Sequence, residues 1–84
     1  DLEVKQLAND FDKASFQTSA NKEIYGLRMD TYQKNKNLYS QGLISLDQTL
    51  NSFNAMVNAE YSLISSKINI LLAQAKINIH NKIK

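Results

Sequence analysis

Almost nothing in this chain interrupts a helix. Its 84 residues contain no proline, and glycine occurs only at Gly26 and Gly42. Proline removes a backbone donor and clashes with the preceding turn, and glycine costs about 1 kcal/mol in a helix interior. A chain nearly free of both can run as long, unbroken helices. The side chains agree. From Leu2 to Leu38 the larger apolar residues are Leu2, Val4, Leu7, Phe11, Ala14, Ala20, Ile24, Leu27, Tyr32 and Leu38. Most of these gaps are helical, and no useful length alternates with period two.

The one break is at residues 40–45, Ser-Gln-Gly-Leu-Ile-Ser. Gly42 suits the left-handed position that ends a helix, with Leu38 and Leu43 spaced for the hydrophobic contact of a Schellman motif. Ser45 reads as an N-cap, and Gln48, three residues on, completes a capping box, with Asp47 favourable in the first turn. A stop and a start this close force a tight αα-hairpin. The predicted fold is all-α: one long, coiled-coil-like antiparallel hairpin spanning 1–84, with helix 2–40, tip turn 41–45 and helix 46–82.

The second arm carries two apolar sets. One is Leu46, Leu50, Phe53, Val57, Ile64, Ile68 and Leu71; the other flanks it at Ala59, Leu63, Ile70 and Ile77. Together they make an arc wider than one partner helix covers, so the second helix is expected to be the better buried. Arms of about 38 residues are each close to 57 Å long at helical rise. Such a rod has one thin seam, too little to offset the ordering entropy of so many residues. The surplus stripe must meet other helices, and the hairpin is predicted to be part of a larger helical assembly. The chain has no leader-like start and its helical pattern runs to both ends, so it reads as a piece of something longer. Gly26 inside the first arm reads either as a close helix approach or bend, or as tolerated surface drift.

The chemistry of an enzyme is missing from the sequence. There is no cysteine, and the single histidine, His80, lies in a polar C-terminal stretch with no ligand-type residue three or four positions away, so it reads as a solvated side chain. Asp10 and Asp12 fall on different sides of a helix and make no carboxylate pair. No nucleophile elbow, P-loop or dinucleotide fingerprint occurs. We expect no catalysis, no cofactor and no metal. The formal charge is +2, spread along the chain, which gives nucleic acid or anionic lipid little to hold. Tyr25, Tyr32 and Tyr39 recur every seven residues, as packing residues do, and neither they nor Tyr61 come with a basic stripe. No apolar run approaches the roughly 20 residues of a membrane-spanning helix.

From Tyr32 to Lys76 the chain resembles the periplasmic helical hairpin of the TolC-like outer membrane efflux proteins. Their pattern has Tyr-x-x-Gly at the tip, a small apolar-Ser turn, a Leu five residues after that Ser, then Ala and Leu at helical intervals and an aromatic residue or Asn ahead of a Leu-rich end. Tyr39, Gly42, Ser45, Leu50, Ala59, Leu63, Asn69, Leu71 and Leu72 fall on it without a gap. The first arm matches only in helical character. The resemblance implies that the hairpin is a fragment of a larger α-helical barrel, a periplasmic tunnel segment of a trimeric outer-membrane channel in a Gram-negative bacterium, serving efflux or type I secretion. Membrane contact would belong to parts outside this chain. The ending, INIHNKIK, is closer to the second of the family's two repeats.

In that family the hairpin tip docks on a periplasmic adaptor protein, and the matching positions are Gln41, Gly42, Leu43 and Ile44. The alternative for Leu43 and Ile44 is to fold back on Leu38 and Leu46. Carboxylates often line the family's constriction just past the tip; here Gln48 and Asn51 stand there, with Asp47 adjacent, leaving a polar gate in place of an acidic ring. Leu38, Leu46, Leu50, Phe53, Val57, Ile64, Ile68 and Leu71 are the expected helix-packing residues. Two other readings stay open. Lys34, Leu38 and Ser45 sit at the basic-Leu-Ser intervals of the adaptor (membrane fusion) proteins' own hairpin, although Leu50 replaces the acidic residue usual there. A symmetric dimeric helical interaction module would also use the surplus stripe.

Overall fold

Residues Leu2–Ser40 form α1 and Leu46–Ile83 form α2, joined by the five-residue tip 41–45. The structure is a computed structural model and describes residues 2–83. Both helices run unbroken and lie antiparallel, giving a rod of 64 × 14 × 13 Å. The architecture is an all-α hairpin. Its radius of gyration is 18.7 Å, against about 12 Å for a compact domain of this length.

The tip is built by the local signals read above. Gly42 sits at φ +75°, in the left-handed region that a Cβ disfavours. The Leu43 amide donates to the Leu38 carbonyl at 2.9 Å and the Gly42 amide to that of Tyr39 at 2.9 Å, the paired bonds of a Schellman ending. At the start of α2 the Gln48 amide donates to Ser45 Oγ at 3.1 Å, while the Ser45 amide donates to Gln48 Oε1 at 3.2 Å. This reciprocal box satisfies two otherwise orphaned donors. Ser45→Ala is expected to cost about 1 kcal/mol of helix stability, read as a lower thermal midpoint; an unchanged midpoint would show that the cap contributes nothing.

Where the helices meet, the side chains are small. On α1 the inward face carries Leu7, Phe11, Ala14, Thr18, Asn21, Tyr25, Tyr32 and Leu38; on α2 it carries Thr49, Ser52, Met56, Ala59, Leu63, Ser66, Ile70, Ala73, Ile77 and His80. The α2 set steps three and four residues alternately for its whole length, an unbroken heptad seam. Among the described residues six are buried, though none completely: Ala14, Thr49, Ala59, Leu63, Ser66 and Ala73. Five of the six lie on α2.

Polar members of the seam are accommodated by their own helix. The hydroxyls of Thr18, Thr49 and Ser66 donate to the carbonyls of Ala14, Ser45 and Ser62 four residues back, at 2.9–3.1 Å. Each bond hides a polar group and leaves its carbon side toward the partner helix. Asn21 crosses the seam, its amide donating to Ser66 Oγ and to the Ser62 carbonyl. Tyr32 packs its ring against Phe53, centroids 5.3 Å apart and tilted by 60°.

Gly26 marks neither a bend nor a close approach within the hairpin. α1 passes through it as regular helix, and a Cβ built there meets no atom within 4 Å. Gly26→Ala should therefore stabilise the hairpin by about 1 kcal/mol through propensity alone, raising the thermal midpoint at fixed chain concentration. A lower midpoint would mean that another chain approaches this position closely.

Candidate functional site: the uncovered face and the tip

The larger apolar stripe of α2 is not the one that meets α1. Leu46, Leu50, Phe53, Val57, Ile64, Ile68 and Leu71, all expected to pack, remain between 40% and 69% exposed in the hairpin. Leu38, on α1, is half-buried. The flanking set, Ala59, Leu63, Ile70 and Ile77, fills the seam instead. Residues of the outer stripe sit roughly one position, or about 100°, round the helix from the seam residues. The hairpin thus presents an apolar ridge from Leu46 to Leu71, interrupted at Glu60 and about 38 Å long at helical rise.

Opposite this ridge lies a flank of another character. Three shallow grooves run along it: one lined by Asp10, Lys13, Gln17, Asn69 and Lys76 beside Leu7, Ala14, Leu72 and Ala73; one by Asn21, Ile24, Arg28, Asn58 and Ser62; and one by Glu3, Lys76, Ile79 and His80. None takes a lining residue from the ridge. The rod has one greasy broad side on α2 and a mixed, grooved side opposite.

The total exposed area is 6455 Å². A compact monomer of 9.5 kDa would expose about 5,000 Å². The excess, about 1,400 Å², is near what two standard interfaces of about 800 Å² per partner would cover.

At the tip, Leu43 projects outward at 66% exposure with Tyr39 and Leu46 also exposed, whereas Ile44 is half-buried. The two fates open to these residues are therefore divided between them. Gln41 and Gly42 are exposed beside Leu43. Asp47, Gln48 and Asn51 are exposed too, but the Gln48 amide oxygen is engaged by the cap. Tyr25 and Tyr32 are half-buried, while Tyr61 stands in solvent.

His80 departs from the solvated side chain expected of it. It occupies the last rung of the heptad seam, half-buried, with Nδ1 3.7 Å from Glu3 Oε1 and Nε2 buried without a hydrogen-bond partner among the described residues. The polar tail sequence concealed this; the three-four spacing from Ala73 and Ile77 carries the signal. No group of three His, Cys, Asp or Glu side chains among the described residues could hold a metal ion. Neither described helix is long and apolar enough to cross a membrane. No family model matches the chain, and no curated protein or solved structure matches it either.

Proposed function

We propose that this hairpin is a stave of the periplasmic tunnel of a TolC-like trimeric outer-membrane channel, with its tip docking on an adaptor protein. The observation that carries the reading is the uncovered ridge from Leu46 to Leu71 on a helix whose other stripe already fills the seam. A helix with two apolar stripes needs two helical neighbours, which is how a wall of staves is made and a lone hairpin is not. Surface area in excess by about two interfaces fits a stave with a neighbour on either side. The tip sequence from Tyr39 to Ser45 supplies the family resemblance, and exposed Leu43 supplies the docking chemistry.

Expressing the full parent protein in a Gram-negative strain lacking its own channel, then fractionating the envelope, tests this. The reading expects a trimer in the outer membrane and restored dye export. A protein found in the inner-membrane fraction would favour the adaptor hairpin instead, and one found in the cytosol a dimeric helical module; either overturns the proposal.

A further inference from the structure

The outer stripe of α2 keeps a heptad of its own. Leu50, Val57, Ile64 and Leu71 stand seven residues apart, Leu46 and Phe53 likewise, and the two series interleave at steps of three and four. That spacing is the seam of a coiled-coil contact, lying beside the seam that α1 fills. The next two places in the series of Leu46 and Phe53 hold Glu60 and Lys67. Both side chains are exposed, and neither forms an ion pair among the described residues. Within the hairpin, residues equally far from the tip face each other, as Tyr32 faces Phe53 and Asn21 faces Ser66. By the same rule α1 brings Tyr25 level with Glu60 and Thr18 level with Lys67. The Arg28 side chain lines the groove with Asn58 and Ser62, on the flank away from the ridge.

A charge at a seam position lowers stability and decides which helix can pair there. Cover from a wholly apolar helix would desolvate an unpaired carboxylate and an unpaired ammonium. The ridge of a second copy fits no better. With tips level, equivalent places meet, so Glu60 falls on Glu60 and Lys67 on Lys67, like charge on like. With tips opposed and the whole ridge overlapped, Leu46 meets Leu71 and Phe53 meets Ile64. Glu60 and Lys67 are then buried against Val57 and Leu50, each without a counter-charge. We infer that Glu60 and Lys67 select the ridge's neighbour: a helix of an unlike hairpin in the same assembly, with a basic side chain level with Glu60 and an acidic one level with Lys67. The six apolar places supply the contact area. The two charges, about 10 Å apart along the helix, fix direction and register, because a neighbour reversed end for end sets like against like. The inference rests on the stave reading and adds what the adjoining stave must carry.

The test uses the full-length assembly with a photo-cross-linking amino acid in place of Ile64, which lies between the two charges on the exposed stripe. Irradiation and peptide mapping should join it to a segment unlike residues 46–71. That segment should carry Lys or Arg about one turn toward the tip and Asp or Glu about one turn away from it. Glu60→Lys should then weaken assembly about tenfold, read by light scattering on dilution, and changing the cross-linked segment's basic residue to Glu should restore it. A cross-link to residues 46–71 of another copy, no cross-link, or a linked segment lacking these charges would overturn the inference. So would undiminished assembly of Glu60→Lys, or a loss that the second change does not restore. The tunnel role is read separately, from envelope fractionation and export. An outer-membrane trimer with the wrong cross-link removes the charge rule alone, and an inner-membrane protein with the right one removes the tunnel alone.

Discussion

Leu43→Asp in the full-length protein should abolish export while leaving helicity and outer-membrane assembly intact. The selectivity of this effect follows from the tip's construction. The Leu43 contribution to the turn is its backbone amide, which donates to the Leu38 carbonyl; aspartate keeps that bond. Its side chain points outward and is exposed, so the hairpin loses little packing. A docking partner, in contrast, would have to cover an unpaired carboxylate in an apolar contact. That costs several kcal/mol, and about 4 kcal/mol already weakens binding roughly a thousandfold. Drug susceptibility at the level of a strain without the channel, together with a normal circular dichroism spectrum, is the expected outcome. Undiminished export would remove the tip from the docking surface.

Phe53→Ala should have very different effects in the isolated hairpin and in the assembly. In the hairpin the ring leans on Tyr32 with much of its other surface in water. Losing such a pair costs about 1 kcal/mol beyond a partial burial term. With the ridge covered by a neighbouring helix, the same truncation empties a filled site and should cost about 3 to 5 kcal/mol. Denaturant midpoints of the dilute chain and of the full-length oligomer measure the two costs. Equal costs would mean that Phe53 gains no cover on assembly.

The two helices and their junction could be read from the sequence because each signal is local. Gly42, Ser45 and Gln48 act within one turn of themselves, so their roles do not depend on what the rest of the chain does. The division of α2 into an inner and an outer stripe could not be read the same way. Both stripes have helical period, and ranking them by size points to Leu50, Phe53, Val57 and Ile64 as the packed set. The deciding information is on α1, whose inward positions include Ala14, Thr18 and Asn21. Small and polar groups there are complemented by Ala59, Ser66 and Ala73, and by an amide reaching Ser66. His80 was obscured for a related reason: it is polar itself and sits among Asn78, Asn81 and Lys82, and only the three-four register through Ala73 and Ile77 places it at the seam. The tip residues were placed by resemblance, and their split, Leu43 out and Ile44 partly in, needed coordinates.

The bonds that close the turn also bear on how anything could dock there. Between residues 38 and 49 the amides of Gln41, Gly42, Leu43, Ser45, Gln48 and Thr49 already have acceptors in the chain itself. A partner arriving at the tip therefore meets a bend whose shape is already fixed. What it meets is a preorganised apolar knob, and most of the free energy of contact can go into affinity instead of ordering. Selectivity between partners must then come chiefly from shape and from the few side chains around Leu43.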